Sequence, residues 1–400
     1  MKRKLILINY FIPAVFLVFS CTQKETKNKV VTTEERKMNQ TEYPIQLKLP
    51  EKGDDTLKAS LFAGSIKYIP LETTKETFLR GIWEIRMNDS IIAIADSKRL
   101  LLFDYNGKFL RRIGKTGNGP GEFLYIFNFE LLEDTLYISS SGKYSIIKYT
   151  LDGTFQEEQK TKFQPGKYRV SSNGKFILYD RDDGTVNALN NNFQIIGSEI
   201  MEYNVSKERL KYSQYDPVYL TYFYKGKDRL LFTNYLNDTI WNVSSGRKTP
   251  EVILSPKSIL LPWTKQIEYS NGDFKKFEKQ SEPYQMINVM ETTSYLFLFQ
   301  KGWQEQKLNS IYIHDLKTNQ THKFETPYIF DDMVARQNLS PMYFTEDYII
   351  STISPMKLLE DLKNANVDKN VNAEWLEKMR NIKEDDNPVL VLVKPKKLGE

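Results

Sequence analysis

The stretch RRIGKTGNGPGEF, residues 111–123, places four glycines and a proline in thirteen positions. A segment this rich in glycine either wraps an anion or joins two strands. A phosphate loop needs glycines that open a helix, because the first amides of that helix hold the anion. Here the residues that follow, FLYIFNFELL (123–132), are strand formers. The order G-x-x-x-x-G-K-[ST] is also missing, since Lys115 and Thr116 stand ahead of Gly117, Gly119 and Gly121. The stretch is therefore read as a connector between two β-units.

Outward from this connector one unit recurs. A first strand ends in a tight turn, an apolar strand follows, then a loop, a third apolar strand, a second turn and a last strand. The first turns fall at Asn88-Asp89, Glu133-Asp134, Asn173-Gly174, Lys225-Gly226, Thr292-Thr293 and Glu346-Asp347, 40 to 67 residues apart. The third strands read LLLFDY, SIIKYT, TVNALN, TIWNV, SIYIHD and VLVLVK. The turns after the first five hold Asn106-Gly107, Asp152-Gly153, Asn191-Asn192, Ser245-Gly246 and Thr318-Asn319. Those residue types accept positive φ or bond their own backbone, as hairpins require. Six such units predict an all-β, six-bladed β-propeller with four-stranded blades over residues 46–400. The sixth unit lacks a fourth strand. The unassigned run SIKYIPLE (65–72) would fill that place, close the ring and remove an edge. Residues 356–386 carry apolar positions at helical spacing, among them Leu358, Leu362, Trp375 and Met379. A helical insertion between the second and third strands of the last blade is expected there.

The segment LLFDYNGKFLRRIGKTGNGPGEFLYIFNFELLEDTLYISSSGKYSIIKYTLDGTF resembles an NHL repeat unit. The resemblance rests on the strand ending in Asp-x-Asn-Gly, the Ile-Gly pair and the GxGPGEF connector, and it is clear over residues 90 to 155. The later units match by strand pattern alone. Taken with its N-terminus, the chain resembles the six-bladed β-propeller lipoproteins of Bacteroidetes. That resemblance implies fold and compartment, and very little about activity.

The N-terminus begins with Lys2, Arg3 and Lys4, continues through an apolar stretch from Leu5 to Phe19 and ends in VFSC. A basic start before a short apolar core reads as a signal peptide, residues 1–20, too short for a comfortable membrane span. A small residue before the cysteine resembles a lipobox, so Cys21 is the expected lipidation site and a lipid the expected link to a membrane. Cys21 is the only cysteine, which excludes an internal disulfide. Residues 21–45 are polar and rich in Lys, Glu and Thr, and read as a flexible tether. The expected location is the cell envelope, as an outer-membrane lipoprotein facing either the periplasm or the exterior.

Catalytic constellations are scarce. The net charge of +5 is small and interspersed, without the basic stripe of a nucleic-acid binder, so no nucleic-acid partner is expected. Two histidines, His314 and His322, are too few for a propeller zinc site, and no metal or cofactor is expected. No G-x-S-x-G elbow occurs. Asp180, Asp182 and Asp183 with Gly184 sit at calcium-loop spacing but lack the closing Glu, and read as a surface turn. Asp-Ser/Thr-aliphatic triplets at NDSI, EDTL and NDTI read as turns at strand entries, compatible with O-glycosylation.

Aromatic residues mark a face. Connectors into first strands and loops between second and third strands build one side of a propeller. Arg80, Tyr125, Tyr168, Tyr215, Tyr284 and Trp303 fall in those segments. Tyr and Trp offer broad apolar faces with a polar tip, suited to sugars or protein partners. The expected function is a non-enzymatic binding or scaffold module, monomeric, with a protein or glycan ligand on this face. The alternative is an enzyme cleaving glycans or esters with carboxylates at the channel mouth.

Overall fold

The computed structural model describes residues 44–397, apart from 141, 163–164, 166, 172–174, 181–184, 201–220, 227–228, 235–236, 262–278, 304–307 and 365–372. Within them the chain forms a β-propeller of antiparallel four-stranded sheets. Sheet one runs Glu84–Met87, Ile92–Ala95, Leu100–Phe103 and Phe109–Ile113. Sheet two runs Ile126–Leu132, Thr135–Ser140, Ser145–Thr150 and Phe155–Lys160. Sheets three, four and five start at Tyr168–Val170, Thr221–Lys225 and Gln285–Glu291 and repeat the meander. Sheet six holds Tyr343–Phe344, Ile349–Ile353, Val389–Pro395 and, from the far end of the chain, Ala63–Pro70.

The burial pattern follows from that packing. Second and third strands such as Ile92–Ala95 and Leu100–Phe103 are buried at every position, because neighbouring sheets cover both of their faces. Last strands lie at the rim, and Phe155–Lys160 is exposed or half-buried throughout, with Glu157, Glu158 and Lys160 on it. Rings stitch the sheets together: Phe299 of sheet five and Phe344 of sheet six lie 4.5 Å apart.

Ring closure takes the form expected. Ala63–Pro70 pairs antiparallel with Val389–Pro395, setting Ile69 opposite Leu390. The helical insertion is also present, as α1 (Pro355–Asn364) and α2 (Ala373–Met379). Trp375 buries its indole edge-on against Tyr68 at 5.4 Å, and Leu358 and Met379 are fully buried. The pair is packed onto the propeller at these positions.

The sheet count is a correction. Besides the six four-stranded sheets, Leu57–Lys58, Ile329–Phe330 and Asn338–Leu339 make a seventh, three-stranded one. With each sheet taken as a blade, the propeller has seven and not six. Strands of two residues are too short to show any period, and one of them comes from some 270 residues away. Ile45–Lys48 begins at the last residue expected in the tether and runs into the expected propeller. It adds a parallel fifth strand outside Thr249–Ser255 of sheet four. Asp54 then bridges in parallel to Phe324 of sheet five. The leading segment is a belt along the rim that covers two sheet edges.

The glycine stretch joins sheet one to sheet two, as a connector. Gly114 and Gly121 have φ of +64° and +74°. A Cβ on Gly114 would stand 2.6 Å from the Phe123 ring, and one on Gly121 would stand 2.7 Å from the Phe155 ring. Gly121 also accepts from the Tyr149 hydroxyl at 2.7 Å and donates its amide to Glu158 at 3.0 Å. The glycines let the backbone lie flat on the aromatic residues of sheet two.

Candidate functional site

The first strands of sheets one to five lie side by side in order. Alternate residues on a strand face the same way. The lining of the central space includes Arg86 from sheet one, Glu130 from sheet two, Arg169 from sheet three and Lys225 from sheet four. Charges so placed need partners. Arg86 donates through Nη1 to the Glu84 carboxylate at 2.6 Å and through Nε to Glu130 at 3.2 Å. Burial pulls the Arg86 guanidinium down, but the Glu84 and Glu130 carboxylates outweigh it and hold the group above its ordinary value. On the far side Lys225 pairs with Glu346 at 3.1 Å, yet burial still raises the Glu346 carboxyl.

Two cavities of about 320 Å³ open onto this space from opposite ends. Only Arg169, Phe223 and Phe344 line both, so these three form the neck. The turn-side cavity has an acidic rim that includes Asp89, Glu133, Glu346 and Asp347. The connector-side cavity is aromatic, with Trp83, Phe127, Tyr222 and Tyr343 around Glu84 and Arg169. Trp83 is 56% exposed and Met342 50%, an unusual amount of large apolar surface to leave at one opening. The Tyr343 hydroxyl donates to the Ile82 carbonyl at 2.6 Å, and burial, with Glu84 nearby, pushes its pKa up to about 12. Its ring is thus pinned, neutral, at the rim.

The residues singled out from the sequence are spread differently. Arg80 is exposed on the connector into sheet one. Tyr125 is exposed beside the start of sheet two, with the Lys98 ammonium 4.9 Å from its ring centre. Tyr284 is half-buried after a short helical turn. Tyr168 and Trp303 are the least exposed of the set among the described residues. The Tyr168 side chain is 1% exposed, packs on Phe176 and donates its hydroxyl to the Tyr137 carbonyl at 2.8 Å. Burial raises its pKa far above the ordinary value. Trp303 is buried as well. Both are packed largely within their sheets, and Tyr168 also lines the connector-side cavity next to Arg169. Tyr215 and Cys21 lie outside the described residues, as do Arg181 to Gly184 of the acidic turn.

The charged residues that gather at the channel, Glu84, Arg86, Glu130, Arg169 and Lys225, are not among those singled out from the sequence. Their signal was present as charges inside otherwise apolar first strands, in EIRM, FELL, YRV and FYK. His314 is buried, its Nδ1 2.9 Å from the Thr321 hydroxyl, and burial lowers its pKa. Among the described residues no group of three or more His, Cys, Asp or Glu is placed to hold a metal ion. No helix among them is long and apolar enough to cross a membrane.

Residues 44–394 match the family described as "Domain of unknown function (DUF4934)", and the chain belongs to that family. Among solved structures, an exported protein of Bacteroides fragilis superposes with a TM-score of 0.69 at 19% identity, covering 88% of this chain and 99% of its own. A member of the DUF4221 family from Bacteroides vulgatus gives a TM-score of 0.42 at 10% identity, over 84% of this chain and 97% of that one. A virginiamycin B lyase from Staphylococcus aureus gives 0.41 at 11% identity, over 82% and 99%. No curated protein matches the chain. At these identities the first likeness speaks for a shared fold.

Proposed function

We propose that this family member is an exported, lipid-anchored module of the cell envelope that binds a glycan in the connector-side mouth of its channel. The observation that carries the reading is the exposed indole of Trp83, set beside Phe127, Tyr222 and Tyr343 around an opening of about 320 Å³. Aromatic faces pack on the apolar faces of sugar rings, and a few convergent polar groups below them orient the ligand. Glu84 and Arg169 supply those groups. The basic, apolar and cysteine-terminated start of the chain supports export with a lipid on Cys21. The description of the Bacteroides fragilis protein as exported points the same way. Cleavage by channel carboxylates has less support, because Glu84 and Glu130 are both engaged by Arg86.

The test is thermal melting of the protein against a panel of neutral and acidic oligosaccharides. A binder raises the melting temperature by mass action. Trp83→Ala should abolish the shift without lowering the unliganded melting temperature. A shift that survives Trp83→Ala and Tyr343→Ala would place the ligand elsewhere. Palmitate labelling that survives Cys21→Ser would remove the anchor from the reading.

A further inference from the structure

The neck of the channel carries hydrogen-bond donors that the protein leaves unused. Arg169 lines both cavities. Its nearest carboxylate oxygens, on Glu84 and Glu130, stand at 3.9 Å, which is ion-pair range and beyond hydrogen-bond range. Arg86 is more than nine-tenths buried. It spends Nη1 on Glu84 and on the Ile85 carbonyl and Nε on Glu130. Its Nη2 has no partner among the described residues. A guanidinium carries five N–H donors, and buried donors are rarely left unpaired without a reason. Glu130, by contrast, is well supplied: besides Arg86 it accepts from the amides of Leu131 at 3.2 Å and Val170 at 3.4 Å. The surplus at the neck is therefore in donors.

We propose that Arg169, backed by Arg86, grips a carboxylate of the bound ligand, so that the ligand is an acidic saccharide carrying uronic-acid groups. This rests on the reading of the mouth as a glycan site. A planar carboxylate matches the guanidinium fork with two parallel hydrogen bonds. A singly charged anion suits the neck better than a dianionic phosphate, because Glu84 and Glu130 stand close to the same guanidinium. Phe223 and Phe344 flank Arg169 and keep that exchange away from bulk water. The aromatic mouth above them would hold the sugar ring that bears the acid.

The experiment is calorimetric titration of the whole protein with tetragalacturonate, with its methyl ester, and with a tetrapeptide bearing a free C-terminal carboxylate. The acid is expected to bind at least about tenfold more tightly than the ester, the scale of a charge-assisted bidentate pair. Arg169→Gln should erase that difference, and Arg169→Lys should restore it only in part, since an ammonium lacks the fork. Trp83→Ala should weaken acid and ester alike. Equal binding of acid and ester overturns the carboxylate inference and leaves the mouth reading standing. Binding that ignores both Trp83→Ala and Arg169→Gln overturns both. Tighter binding of the peptide than of the acid, or no binding of the acid at all, overturns the assignment to acidic saccharides. If Arg169→Gln fails to fold, the unmodified protein still decides, because the acid-to-ester ratio should collapse as salt is raised only if the carboxylate is gripped electrostatically.

Discussion

The Nε of Arg86 on sheet one donates to the Glu130 carboxylate on sheet two across 3.2 Å, and both side chains are almost wholly out of water. Two adjacent sheets are thus locked at the axis by a buried pair. Removing Glu130 leaves the Arg86 Nε without its acceptor, while Glu84 still holds the guanidinium through Nη1. Glu130→Ala is expected to destabilise the fold by about 1–3 kcal/mol in urea unfolding, the scale of a buried donor left without its partner. The double variant Arg86→Leu/Glu130→Leu should recover most of that loss. Equal losses in the single and double variants would contradict the pairing.

The connector makes a second test. Gly121→Ala must accommodate a Cβ at φ +74° with the Phe155 ring 2.7 Å away. A loss of about 1–3 kcal/mol is expected, the scale of a strained backbone position. Gly81 has nothing within 4 Å of the added atom, so Gly81→Ala should be neutral or slightly stabilising.

Closure by the leading strand can be measured in the same way. Ile69 is fully buried opposite Leu390. Ile69→Ala should lose about 2–5 kcal/mol, as for a large-to-small change in a core. Ser65, exposed on the same strand, should tolerate Ala within about 0.5 kcal/mol. If both changes were silent, the strand would not be holding the ring shut.

Acid sensitivity should trace in part to Glu158. Burial opposes its charge, but hydrogen bonds from the Ser145 hydroxyl, the Gly121 amide and the Lys143 ammonium outweigh burial and set its carboxyl below the ordinary 4.5. A carboxyl lowered in the folded state stabilises it above the unfolded value, and that contribution is lost as the pH falls through the folded one. Glu158→Gln should therefore be less stable than the parent at pH 7, with the gap shrinking below pH 4.5. A gap that stayed constant between pH 7 and pH 3 would sink the assignment.

Strand identity, turn chemistry and closure were legible in the chain because each is a local or periodic property. Asn319 does adopt φ +58° at a hairpin where Asn was expected to. Even so, the third such turn is made differently. There the positive φ falls on Phe193 at +53°, and its ring is 3% exposed against Phe176 and Tyr137. Packing won over turn propensity at that position.

Local pattern thus settled that this chain alternates short strands and turns, that its leading strand completes its last large sheet and that two helices interrupt that sheet. Burial and juxtaposition were settled elsewhere. Tyr168 and Trp303 read as loop-face aromatics, and neighbouring strands and sheets bury most of their surface, which no residue's own strand records. The seventh sheet and the rim belt depend on pairings between residues hundreds of positions apart, through strands too short to leave a period. Glu84, Arg86, Glu130 and Arg169 come from three separate sheets. They read singly as charges inside strands, and become one network at the channel only when the ring brings them to a common axis.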